Sequence, residues 1–252
     1  MLLSLPLLLL LAVPILMLMA RTTPRAVVKE LASHETLDAI RLSLLTSSAA
    51  LGVSMLLGAP LAYWLARSTS RAAMLVQTLI DLPTVLPPSV AGVALLLAFG
   101  RNGPVGGWLE SIGVEIAFTP VAVVMAQVFV ASPYFVRAAR TGFASVRSEV
   151  REAALIDGAS GLALFRLVVM PLAARSIGAG AAMCWSRAIG EFGATIIFAG
   201  NMQGSTQTMP LAVYLGFEQG LDRALVLSTV LIAMSLLVLL AVRLLGWRDQ
   251  EA

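Results

Sequence analysis

The chain has 252 residues, 59% of them hydrophobic and only 12% charged, where a soluble domain carries about 25% charged side chains. This balance excludes a soluble enzyme. The net charge of +3 does not signal nucleic-acid binding either, because the basic residues sit at the ends of apolar runs and not on a basic face.

In chain order, six apolar spans are predicted at about 2–20, 42–66, 76–99, 119–139, 176–199 and 224–243, each close to the ~20 residues that cross a bilayer as a helix. The fold class is all-α integral membrane, with residues 1–252 forming one helical membrane domain. The loops at about 21–41, 100–118, 140–175 and 200–223 are too short to be domains. The first span lacks a basic start and exceeds the ~7–15 apolar residues of a signal peptide core, so residues 1–20 are expected to be retained. With the N-terminus inside, ten arginines flank the inner ends, from Arg67 to Arg248, against six basic residues outside. Both termini are therefore expected in the cytoplasm, although the first loop, with Arg21, Arg25, Lys29 and Arg41, argues the other way.

Two spans are irregular. The third, "LIDLPTVLPPSVAGVALLLAF", carries Pro83, Pro87 and Pro88; proline removes an amide donor and collides with the preceding turn, so a kink or break is expected. Such a span, with Thr84 and Ser89, is either a bent packing helix or a pathway wall, since carbonyls freed inside a membrane need neighbours or a wet cavity. The fifth, "IGAGAAMCWSRAIGEFGATIIFAG", carries Gly178, Gly180, Ala181, Ala182, Gly190 and Gly193 for close helix approach. Arg187 and Glu191 share one face of it, four residues apart. Charges at this depth cost ~2.5–3.5 kcal/mol each on insertion scales. They are expected to pair, with an anion-attracting role for Arg187 as the alternative. Cys184 in the same run is expected to be a small buried residue, and as the single cysteine it forms no intrachain disulfide.

Lys29 is the only lysine, and no G-x-x-x-x-G-K-[ST] cradle exists, so this chain does not hydrolyse ATP in that way. His34 is the only histidine, and neither a His-based metal cluster nor a G-x-S-x-G elbow is present. No cofactor is expected on this chain.

The most Arg-rich loop holds "EAALIDGASGLALFRLVVMPLA", residues 152–173. Ser148 is placed to cap a short helix, Glu149 suits its first turn, and Gly158 is placed to end it in a left-handed conformation. A second helix is expected to start near Ser160, with Pro171 setting a bend into the fifth span. By itself, a helix–Gly–helix of this kind fits a partner's cleft or a bed of lipid headgroups.

Glu152, Ala153 and Ala154, then Gly158 after three intervening residues and Pro171 further along, resemble the signature loop of ABC-importer permease subunits, with Val168 and Met170 where Ile and Leu are usual. "DLPTVLPPSVAGVALLLAFGRNGPVG" (81–106) and "RAIGEFGATIIFAGNMQGSTQTMPLAVY" (187–214) resemble the oxyanion branch of that family, and the runs Gly190–Thr195 and Thr206–Ala212 most resemble molybdate permeases. The resemblance implies a type I importer permease fold of six transmembrane helices, a cytoplasmic coupling helix, and no catalysis by this chain. It also implies a homodimer in a prokaryotic inner membrane, two ATPase subunits that hold ATP and Mg²⁺, and an external or periplasmic molybdate-binding protein. Sulfate, thiosulfate and tungstate are the alternative cargoes. The implied coupling residues are Glu152, Ala153, Ala154, Gly158 and Pro171; the candidate pathway residues are Thr84, Ser89, Arg187, Glu191 and Thr195. An ion-coupled secondary carrier built on Arg187 and Glu191 is a distant rival, because such carriers show paired broken helices in internal repeats, and no repeat is visible here.

Overall fold

In the computed structural model, which describes residues 4–247, every regular element is helical. The helices begin where caps and prolines dictate. Thr23, Ser33, Ser70 and Thr119 each accept a hydrogen bond from an amide three residues on, opening α2 (Pro24–Leu31), α3 (His34–Arg67), α4 (Arg71–Val85) and α7 (Pro120–Ala144). Proline stands in the first turn of α1 (Leu5–Arg21), α5 (Pro88–Phe99) and α6 (Pro104–Ser111), where its missing donor costs nothing. After α7 come α8 (Ser148–Ile156), α9 (Gly161–Ala163), a π-helical turn at Leu164–Val169, and α10 (Met170–Ile189). Then follow α11 (Gly193–Phe198), α12 (Met209–Gln219) and α13 (Leu221–Trp247).

Four of these runs are long and apolar enough to cross a membrane: His34–Arg67, Pro120–Ala144, Gly161–Ile189 and the Leu221–Leu240 part of α13. Two more crossings are reached only by counting bent pairs, α1 with α2 at 72° and α4 with α5 at 117°. The fold is thus an all-α, multi-span membrane fold. Residues 2 and 3 of the first expected span and Arg248 lie outside the described residues.

The third span breaks, as its prolines lead one to expect, and the boundaries of the fifth are corrected. Leu86, held extended by the proline after it (φ −68°, ψ 137°), ends α4, and Pro88 starts α5 in a new direction. Pro83 is absorbed in the last turns of α4 and breaks nothing. The fifth span starts earlier and stops sooner than 176–199: it is helical from Gly161 to Ile189 and breaks at 190–192. Pro171, at the second position of α10 just after the π turn, does not interrupt the run. The loop expected at 140–175 shrinks accordingly to 145–160.

α7 is the central post, with α3 and α10 packed along it. Ala62, Ala131, Phe135, Ala139, Phe143, Ala173, Ile177 and Cys184 are buried in this three-helix core. Small side chains let the backbones approach, which is how helices adhere where lipid supplies no hydrophobic drive. Gly180 is one such contact, since a Cβ there would lie 2.7 Å from the Cβ of Ala138. Gly178 meets nothing within 4 Å inside this chain. At one end, Tyr63 of α3 sits edge-on to Phe143 (5.5 Å) and Phe165 (4.9 Å), tying the ends of α3 and α7 to the π turn.

A second buried cluster joins α5, α7 and α11 through Ala91, Leu95, Ala122, Ala126, Ala194 and Phe198. Gly92 sets its spacing: an added Cβ would lie 2.8 Å from the carbonyl oxygen of Ala194 and 2.9 Å from the Cβ of Ile197. Backbone cannot step aside, so Gly92→Ala is expected to force α5 off α11 at a cost of about 1–3 kcal/mol. Thermal unfolding of the detergent-solubilised protein measures this; an unchanged midpoint would mean that the two helices are not in register here.

Candidate functional site: two helix breaks that meet

The α4–α5 break and the α10–α11 break lie against each other. A Cβ on Gly193, the first residue of α11, would lie 2.7 Å from the Cβ of Pro88 and 3.4 Å from the amide nitrogen of Ser89. One turn on, Gly92 abuts Ala194 and Ile197. Two spans distant in sequence therefore interrupt their backbone hydrogen bonding at one place, with polar side chains around it.

Arg187 and Glu191 pair as expected, with Nη1 2.6 Å from Oε2. Glu191 is 1% exposed and Arg187 28%. The Oε2 atom has no aligned hydrogen bond, so the contact is chiefly electrostatic. The other oxygen, Oε1, accepts the amide of Ala194 at 2.8 Å. The helix termini explain why both charges are tolerated. Arg187 stands in the last turn of α10, where the helix end is negative, and Glu191 faces the positive start of α11.

Thr195, on α11, is fully buried and its hydroxyl has no hydrogen-bond partner. Ser89 is exposed at the start of α5. Thr84 lies on the other side of the α4–α5 break and faces α7: its Oγ1 donates to the carbonyl of Asp81 at 2.7 Å and accepts from Arg137 Nη2 at 3.3 Å. Sequence reasoning missed that partner. Arg137 Nε holds Asp81 Oδ1 at 2.6 Å, so a polar bridge fastens α4 to α7. The signal was available, since Asp81 is the only acidic residue between 76 and 99 and an isolated charge in an apolar run needs a partner. Gln127 was missed as well; it is fully buried in α7 and neither amide atom finds a hydrogen bond.

At the end of the bundle marked by the Tyr63–Phe143–Phe165 cluster, α8 lies at the edge of the core, touching it through Ala154, and none of its residues is buried. Glu152 and Ala153 are exposed, Ala154 is half-buried, and the apolar side chains of Val150, Leu155 and Ile156 point outward, Ile156 at 86% exposure. Arg147, not Ser148, occupies the N-cap, and Ser148 is the first helical residue. Gly158 adopts φ +88°; its amide donates to Leu155 and that of Ala159 to Ala154, a left-handed helix stop of Schellman type. Ser160 then caps α9, and Pro171 is exposed in the first turn of α10. On either side the segment is anchored by Val146, Leu164 and Val169, all buried.

The opposite end carries Arg101, which bridges Glu115 (2.5 Å) and Glu110 (3.0 Å). Those two carboxylates, Glu115 foremost, raise the guanidinium above its ordinary pKa. Phe118, at φ 61°, donates its amide to the carbonyl of Phe198 at 3.2 Å and so joins that end to α11. No group of three or more potential metal ligands occurs among the described residues.

Comparison with known proteins follows this geometry. The family described as "Binding-protein-dependent transport system inner membrane component" matches residues 54–250. The molybdenum transport system permease protein ModB of Mycobacterium tuberculosis is 41% identical over 204 residues, covering 81% of this chain and 77% of that protein. The sulfate transport system permease protein CysW of Escherichia coli K12 is 34% identical over 224 residues, covering 88% and 77%. A chain in the crystal structure of a bacterial alginate ABC transporter, in complex with an alginate pentasaccharide-bound periplasmic protein, superposes with a TM-score of 0.72 at 15% identity, covering 100% of this chain and 93% of that one. At that identity the likeness speaks for the fold.

Proposed function

We propose a function from one premise: the chain belongs to the family of binding-protein-dependent transport system inner membrane components. It is a multi-pass inner-membrane permease of the ABC-importer class for an oxyanion-type substrate, a translocation subunit and not an enzyme. Within that class we infer that the cargo is molybdate, delivered by an external binding protein to a homodimer of this chain with both termini in the cytoplasm. The inferred six spans count each bent pair as one crossing.

The observation that carries the mechanism is the exposed, firmly anchored α8. A short helix with outward Val150, Leu155 and Ile156 suits a groove on another subunit. We assign that subunit as an ATPase supplying the nucleotide and Mg²⁺ that this chain has no cradle for. Glu152, Ala153, Ala154 and Gly158 form the docking surface, and Pro171 lies in the helix that carries the push onward. Closure of two ATPases would draw the two α8 elements together and rock the spans as rigid bodies, favouring one side of the pathway by differential nucleotide affinity. The breaks at 86–88 and 190–193 are where rigid halves can pivot. Ser89, Thr195 and the Arg187–Glu191 pair stand beside them as the pathway wall, with Thr84 holding the lower half to α7. A wall with few free charges suits a conduit that must release its cargo.

The likeness to CysW keeps sulfate as the second reading. Reconstitution with the ATPase and binding protein, followed by competition among molybdate, tungstate and sulfate, decides between them. Uptake of molybdate should need ATP, resist ionophores and withstand excess sulfate. Equal competition by sulfate would move the chain to the sulfate group, and ionophore-sensitive uptake without ATP would restore the secondary-carrier reading.

A further inference from the structure

We propose that Arg140 is the centre of a second anion site, at the α8 end of the bundle and away from the helix breaks, that takes a small tetrahedral oxyanion. Arg140 is half-buried on α7, and its Nη1 donates to Oε1 of Gln77 on α4. This pair forms a wall shared by two clefts. One, of about 270 Å³, is lined by Ser68, Thr69 and Ser70 together with Gln77 and Arg140. The other, of about 430 Å³, is lined by Gln77, Arg137, Arg140 and Thr141.

Charge is what sets the pair apart. Arg137 is balanced by Asp81 at 2.6 Å. Arg140 is met by a neutral amide, and neither cleft is lined by a carboxylate. A glutamate at position 77 would have made an ordinary ion pair; glutamine orients the guanidinium without cancelling it. Thr69 and whichever of Ser68 and Ser70 is not donating across their 3.0 Å contact offer hydroxyl donors, Thr141 already donating to the carbonyl of Arg137, and the 15-residue α4 begins at this cleft, so its positive end adds to the potential. A planar guanidinium with several N–H groups, flanked by hydroxyls, matches a tetrahedral oxyanion. Arg71, exposed and lining neither cleft, shows what a purely topological arginine looks like at this end. The inference rests on the permease reading for the source of the anion: either cargo leaving the pathway or the phosphate of a lipid headgroup at the same membrane edge.

The test uses the full chain purified in detergent. Binding of radiolabelled molybdate and of sulfate is measured by equilibrium dialysis, and retention of phosphatidylglycerol by native mass spectrometry. Wild type is compared with Arg140→Gln, Gln77→Glu and the control Arg71→Gln. Both test variants should weaken binding about tenfold or more, the second by neutralising the arginine without removing it, while the control binds normally. Loss of free-anion binding identifies cargo, and loss of lipid retention identifies the headgroup. If Arg140→Gln does not fold, Gln77→Glu decides alone. The site is refuted if wild type binds neither ligand or if the variants bind like wild type. A refuted site with normal ATP-driven oxyanion uptake leaves the permease reading standing; an intact site in a complex that moves no oxyanion overturns that reading instead.

Discussion

Glu152→Lys and Gly158→Asp should each abolish ATP-driven oxyanion uptake while the permease still assembles. The stability cost is small in both. Glu152 is exposed on a helix with no buried residue, and surface changes of that kind stay within about 0.5 kcal/mol. Gly158 sits at φ +88° with open space where a Cβ would go, so nothing collides; the left-handed backbone costs a non-glycine residue about 1 kcal/mol. The loss arises at the contact. Lysine reverses a charge on the proposed docking face, and aspartate puts a second carboxylate beside Asp157 at its tip. Desolvating an unmatched charge at an interface costs about 2–5 kcal/mol, enough to uncouple the ATPase. Size-exclusion chromatography and uptake into vesicles give the two readouts. Normal import by either variant would remove α8 from the mechanism.

The second large effect concerns folding. Glu191→Ala should lower stability by about 3–5 kcal/mol, because it strands Arg187 within the bundle and removes the acceptor for the Ala194 amide. Glu191→Gln keeps an acceptor for that amide and loses only the charge, so it should fall between wild type and alanine. Arg187→Leu combined with Glu191→Gln should recover part of the loss, since no unpaired charge then remains. Thermal unfolding in detergent follows all three. If the alanine variant melts like wild type, the pair is satisfied by water and holds nothing together.

Legibility varied along the chain for physical reasons. The proline cluster announced the break in the third span, because a missing donor and a fixed φ act within a few residues. The pairing of Arg187 with Glu191 was equally local, being one turn of a helix. The start of the fifth span was misjudged because Arg166, Pro171 and Arg175 suggested a loop, whereas residues 161–173 are themselves apolar and helical. Arg137 was read only as a topological charge; its partner Asp81 lies 56 positions away, and nothing in either neighbourhood names the other.

Sequence by itself determined that this is a helical membrane protein, that its third span is interrupted, and that one loop carries a Gly-stopped helix. Each of these follows from chemistry confined to a turn or two. Only the tertiary structure decided that the two breaks meet at Pro88 and Gly193, that α4 is bridged to α7, and that Arg140 opens onto uncompensated clefts. Hydrophobic runs specify depth and face but not neighbours. Which small residue nests against which, and therefore which charges are left over, emerges when the helices pack.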